Sequence, residues 1–216
     1  MPTSAKSRRR KKTTFIEQAR RKQIVGATIE TIAGQGLQHT SLAEIARVLD
    51  ISQSVISYHF DGKSELIAET INSIFEQTNA YIKTRVDAQI SSVDKLDAYI
   101  DASFEFEMAH RDLFIALVDL LGSFGSAEEK RRFSVTAYDA CRRHLEKILL
   151  EGQEHGEFRA LSAQALATTI QGTIDGIMLQ WVFNADAVDM DECRRQMKQI
   201  FGHHVRKETA DGDTSV

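Results

Sequence analysis

Apolar residues along this chain recur every three or four positions and hardly anywhere alternate, a spacing that predicts helices throughout. Over about residues 15–33, Val25, Ile29 and Ile32 mark an inner face, and Gly34 and Gly36 stop the helix. Leu42, Ile45, Ala46 and Leu49 form a short second stripe, and Val55 and Ile56 the underside of a third helix over residues 53–58. Asp61-Gly62 turns the chain into a long helix over about 63–90, with Leu66, Ile67, Ile71, Ile74, Phe75 and Ile82 on its apolar side. Further helices are expected over 93–109, 112–121, 127–150, 162–183 and 190–205, about nine in all with ends uncertain by ~2 to 4 residues. The only proline is Pro2, so the fold class is all-α.

The segment TSLAEIARVLDISQSVISYHFDGK, residues 40–63, carries the most information. Thr40 or Ser41 can cap the first helix, and Ser41 with Glu44 three residues later fits a capping box. Asp50-Ile51-Ser52 then breaks the stripe. A sharp bend between two helices needs a left-handed residue, and Asp is among the few alternatives to glycine. Ser52 can cap the next helix, which leaves Gln53, Ser54, Ser57 and Tyr58 as polar groups over an apolar underside. Such a unit presents its second helix to the major groove of DNA.

Charge supports that reading. The net charge of -4 hides a basic front, with 11 Lys+Arg against 5 Asp+Glu through Lys63, and an acidic remainder with 16 against 26. A molecule so divided sets one end on a polyanion. Arg8, Arg9, Arg10, Lys11 and Lys12 form a cationic arm suited to phosphates or the minor groove.

This region resembles the TetR-type transcriptional repressors. Thr40, Ile45-Ala46, Ile51-Ser52, Tyr58-His59-Phe60, Lys63 and Leu66 match the family's DNA-binding segment with its spacing kept. Ile24, Ala27, Ile32 and Gly36 match its first helix, so the resemblance covers residues 24–66. Two positions depart: Asp50 replaces the usual turn glycine, and Ser57 stands where most members carry a phosphate-contacting tyrosine. Ile56-Ser57 and Leu66-Ile67-Ala68 look more like the subset containing the choline-sensing betaine-synthesis repressor. The resemblance implies Thr40, Tyr58, His59 and Lys63 as backbone contacts that set register. Of the polar groups Gln53, Ser54, Ser57 and Tyr58 that the second helix sends into the groove, Gln53 and Ser54 are the candidates for base edges, and Ser41 is a further DNA-binding candidate. For Lys63 the helix dipole argues the same way, because a cation in a first turn gains from a phosphate partner. His59 serves either as such a contact or as an internal cap.

The expected organisation is a helix-turn-helix domain with its basic arm at 1–62, a sensing and dimerisation domain at 63–205, and a disordered tail at 206–216. The helix over 162–183 is apolar nearly all round and must be covered on both faces, and Gly172 and Gly176 admit a close neighbour. Operator recognition by a short helix favours a two-fold dimer, and the resemblance places it on the last two helices. The resemblance also implies a small-molecule effector site among the C-terminal helices, for which Phe104, Phe114, Tyr138, Asp175, Met178 and Trp181 are the candidates. Asp175 stands out as a carboxylate inside an apolar run, and a structural pairing is preferred for it over an effector contact.

Other classes fit less well. No phosphate-binding glycine loop, nucleophile elbow or HExxH motif occurs, so an enzyme is not expected. Neither a cofactor nor a metal is assigned. Cys141 with His144, or His203-His204, offers too few ligands for structural zinc, which leaves metal sensing a minor alternative. Two cysteines make no disulfide framework, no apolar run spans a membrane, and charged residues after the arginines argue against export, so the expected location is cytoplasmic. A ligand-binding or scaffold protein with non-specific affinity for nucleic acid is the alternative from another class.

Overall fold

The computed structural model describes residues 15–207, and Arg8, Arg9 and Arg10 lie outside that span. Nine α-helices occur among the described residues: α1 (Phe15–Gln35), α2 (Leu42–Val48), α3 (Gln53–His59), α4 (Gly62–Asp87), α5 (Ser92–Ala109), α6 (Arg111–Leu121), α7 (Ala127–Glu154), α8 (Ala163–Phe183) and α9 (Met190–Val205). Short 3₁₀ turns at Leu37–His39 and Ala185–Ala187 join them. The all-α expectation holds, and the largest boundary difference is at α7, which runs on through Gly152 to Glu154. Gly152 has a packing reason to be there: a Cβ on it would lie 2.1 Å from Cδ2 of Phe158.

Two apolar cores share the molecule. One joins α1, α2 and α3 with the start of α4 and continues through Phe114, Leu117 and Leu120 of α6 to Met178 of α8. The other lies among the later part of α4, α5, α7, α8 and α9 around Tyr99, Phe104, Leu145, Phe158 and Ile170. Helix α6 therefore belongs with the N-terminal core, although in sequence it lies just past the midpoint of the chain.

Arg206 pairs with Phe158 in an isolated antiparallel bridge, and Arg159 N–H donates to the Val205 carbonyl at 2.9 Å, which ties the end of α9 to the segment after α7.

Candidate nucleic-acid interface and sensing core

The bend between α2 and α3 forms as its residues require. Ser41 Oγ accepts from Glu44 N–H at 3.1 Å, but the Glu44 carboxylate turns to Arg47 at 3.0 and 2.6 Å, so only half of the expected capping box is made. The Arg47 hydrogen bonds hold the Glu44 carboxyl below its usual range. Asp50 is left-handed, φ 52°, and Ile51 N–H reaches back to the Ala46 carbonyl at 3.0 Å, closing α2. Ser52 occupies the cap position of α3, yet its hydroxyl meets the Ser54 hydroxyl at 2.7 Å and makes no side-chain cap.

Helix α3 rests on Ile56 and Phe60, both buried. Above them Gln53, Ser54, Ser57 and Tyr58 are exposed, Tyr58 to 75%. The outer face of α3 is therefore open to solvent, with the Tyr58 hydroxyl donating to Glu17 of α1 at 3.5 Å. Its far end is fixed by Arg21 of α1, whose guanidinium lies 4.1 Å from the Phe60 ring centroid and donates to the His59 carbonyl. The same guanidinium pairs with Glu65 at 3.3 Å and Glu69 at 3.7 Å, and Glu65 also accepts the Asp61 N–H. Arg21 was not legible as a site residue, because its partners lie 38 to 48 positions away. His59 is half-buried with its ring edge-on to Tyr58 at 5.0 Å.

Two expected contact residues have partners within the chain. Thr40 is 1% exposed and its hydroxyl donates to the Gly36 carbonyl at 2.9 Å, so it stabilises the turn before α2 from inside. Lys63 is half-buried and its ammonium donates to the carbonyls of Thr40 and of Leu37, the latter at 3.4 Å. Those two oxygens supply the negative partner that a cation at a helix start needs. Lys63 thus ties α4 to the segment before α2.

The sensing candidates divide. Phe104 is core in the C-terminal cluster, whereas Phe114 and Met178 are core in the N-terminal one. Trp181 is half-buried with the Arg111 guanidinium 5.3 Å from its ring, and Arg111 also donates to the Val182 carbonyl at 2.8 Å. Only Tyr138 and Asp175 meet in one polar interior, and there they join residues that were missed. Tyr99 hydroxyl donates to Gln171 Oε1 at 2.9 Å, Gln171 Nε2 donates to Asp175 at 2.8 Å, and the Cys141 thiol donates to Asn79 at 3.3 Å. The Asp175 partner is thus a residue of its own helix.

Glu107 completes this interior. It is 4% exposed, and its Oε2 is buried with no hydrogen-bond partner. Burial first, and the charge of Asp175 second, push its carboxyl well above the usual range. Burial likewise lifts Asp175 to about 6, against the Gln171 hydrogen bond and the charge of Arg142. Tyr138 is pushed up to about 12 and Cys141 to about 11 by burial, with the Asp175 charge as the next cause for both. A signal for Glu107 was present: Tyr99, Ser103 and Glu107 stand four apart on the buried stripe of α5.

Among the described residues no group of three or more metal-ligating side chains gathers, and no helix is long and apolar enough to cross a membrane. His144 lies edge-on to Tyr99 at 5.5 Å.

On α8 and α9 the outward face keeps apolar residues in the open: Leu179 is 42% exposed, Phe183 75% and Ile200 60%. Nothing lies within 4 Å of a Cβ built on Gly172 or Gly176.

Comparison with known proteins gives this architecture its context. The HTH-type transcriptional regulator BetI of Cronobacter sakazakii is 26% identical over 196 residues, covering 86% of this chain and 90% of its own. That of Escherichia coli O17:K52:H18 is 26% identical over 192 residues, covering 88% and 96%. Among solved structures, a putative transcriptional regulator of Saccharomonospora viridis in complex with choline superposes with a TM-score of 0.78 at 20% identity, covering 88% of this chain and all of that one. The regulator FadR of Bacillus subtilis in complex with stearoyl-CoA gives 0.76 at 20% identity, covering 86% and 99%. Residues 24–70 match the bacterial regulatory proteins of the tetR family, and residues 92–207 match the BetI-type transcriptional repressor C-terminal family. With its helix-turn-helix and its later helices matched separately, this chain belongs to the TetR family of transcriptional regulators and carries a C-terminal domain of the BetI type.

Proposed function

We propose that this regulator is a cytoplasmic homodimeric repressor that holds a pseudo-palindromic operator through two copies of α3 and leaves it when a small molecule enters the C-terminal helices. The observation that carries the reading is the outer face of α3, four polar side chains exposed over buried Ile56 and Phe60. Gln53, Ser54 and Ser57 are short or flexible enough to let the backbone approach base edges, and Tyr58 and Ser41 stand beside them for phosphates. Arg8, Arg9 and Arg10 add a sequence-independent attraction.

Dimerisation through α8 and α9 covers the apolar residues that one chain leaves in solvent, and the bare surface at Gly172 and Gly176 lets a second α8 come close. Two half-sites on one face of a duplex lie about 34 Å apart, so a change in the separation of the two α3 helices releases the operator. The effector acts by preferring the state in which that separation is wrong. Relatives of this fold were solved with choline and with stearoyl-CoA, so the fold alone leaves the class of effector open.

The test is selection of bound fragments from the source genome, followed by titration of the selected duplex and a shuffled one at physiological salt. A regulator prefers the selected site by ~10³ or more. Equal affinity for both duplexes would assign the protein to non-specific nucleic-acid binding.

A further inference from the structure

The polar interior between α5, α7 and α8, where Tyr99, Glu107 and Cys141 are buried and Tyr138 and Asp175 half-buried, is poorly accounted for by folding alone. It holds the carboxyls of Glu107 and Asp175, the hydroxyls of Tyr99 and Tyr138 and the thiol of Cys141. Most of these have partners: Tyr99 with Gln171, Gln171 with Asp175, Cys141 with Asn79 of α4. Glu107 Oε2 has none, although a buried acceptor without a donor is costly and rare.

No cation acts on Glu107, whose carboxyl is shifted by burial and the Asp175 charge alone. Arg142 of α7 pairs with Asp139, and Arg111 of α6 donates to the Val182 carbonyl and lies over the Trp181 ring, its Nε buried without a hydrogen-bond partner. Arg194 and Lys198 of α9 pair with Asp101 on α5, and Arg85 of α4 with Glu105. A carboxyl so placed keeps its proton until a positive charge arrives from outside the chain.

We propose that this interior binds a compact organic ammonium bearing N–H groups, which donates to Glu107 and takes the place of its proton. The exchange balances: the Glu107 carboxylic acid loses H⁺ to solvent, and its carboxylate pairs with the ammonium, one proton leaving for each cation bound. The N–H requirement follows from two observations. Oε2 needs a hydrogen-bond donor, which a fully alkylated nitrogen lacks. The aromatic rings, the usual seat of such a nitrogen, have partners within the chain: Trp181 and Tyr81 carry Arg111 and Arg85, Tyr138 packs against Phe75 and Phe133, and Tyr99 against His144. The identification of this interior as the effector site rests on the proposed function, but the binding itself does not.

The experiment is calorimetry on the full-length protein without DNA. The probes are ethanolamine, propylamine and 1,4-diaminobutane, each beside its N-permethylated counterpart, choline being that of ethanolamine. At least one primary amine is expected to bind about tenfold or more tightly than its methylated partner. Its binding heat in buffers of different ionisation enthalpy should report one proton released. Glu107→Gln should lose about tenfold or more of that affinity while keeping the wild-type circular dichroism, and Glu105→Gln should keep the affinity. Failure of every primary amine to bind, methylated probes binding as well, no proton release, or unchanged affinity in Glu107→Gln would each overturn the proposal. An amine that binds through Glu107 yet leaves operator affinity unchanged would keep the site and remove the effector role, so the two readings fail separately.

Discussion

The Leu37 N–H donates to the Asp119 carboxylate at 3.2 Å, across 82 positions of sequence. This bond joins the end of α6 to the turn before α2, while at the other end of α6 Arg111 holds the Val182 carbonyl of α8. One rigid helix thus touches both the helix that carries the proposed dimer face and the segment that positions the recognition unit. Asp119→Ala is expected to cost about 1 kcal/mol of stability and to speed hydrogen exchange at the Leu37 amide. It should also weaken the link between ligand binding and operator release by about 1 kcal/mol or more. Exchange at Leu37 unchanged from wild type would show that the bond does not persist in solution.

Thr40 and Lys63 separate a structural role from a phosphate contact. Thr40→Val and Lys63→Met should lower the urea midpoint by the equivalent of about 1–2 kcal/mol, since each removes a side-chain donor from the carbonyls of the turn before α2. Neither should change the salt dependence of DNA binding by the amount that a lost phosphate contact produces. Gln53→Ala should do the reverse, leaving the urea midpoint within about 0.5 kcal/mol and reducing discrimination at one base pair by about 1–3 kcal/mol.

Gly152 and Phe158 report on packing alone. A Cβ at position 152 would fall inside the Phe158 ring, so Gly152→Ala is expected to destabilise by about 1–3 kcal/mol. Adding Phe158→Leu should restore part of that loss if the collision is its cause, measured by chemical unfolding of both variants and the pair.

Asp175 ties stability to pH. Its carboxyl is lifted to about 6 in the folded chain from an ordinary value of 3.8. Between those values the folded form holds a proton that the unfolded form has released, so the stability linked to this group is full at the acid end and declines up to about pH 6. Above that it is level. Asp175→Asn should therefore match wild type near pH 4 and exceed it by about 1–2 kcal/mol at pH 7.5, in urea titrations at both values.

The helices were legible because their stripes are regular, and the bend at Asp50 because few residues accept its backbone. What was not legible depended on partners distant in sequence. Thr40 and Lys63 looked like surface residues since nothing local shows the Gly36, Leu37 and Thr40 carbonyls that receive them. Arg21 resembles any helix arginine until Phe60 and His59 are folded onto it. Aromatic and thioether content picked Phe104, Phe114 and Met178, and such residues fill cores as readily as they line sites. An acid on a buried stripe is the better signal, which Glu107 carried and Asp175 shared.

The account depends most on α3 reading a duplex sequence. Its most direct measurement is the anisotropy of a labelled operator, selected from the source genome, titrated with wild-type protein and with Gln53→Ala at physiological salt. The account predicts that wild type prefers the operator to a shuffled duplex by ~10³ or more, and that Gln53→Ala reduces the preference without unfolding the chain. Indistinguishable affinities for operator and shuffled duplex, or a preference untouched by changes across Gln53, Ser54 and Ser57, would contradict it.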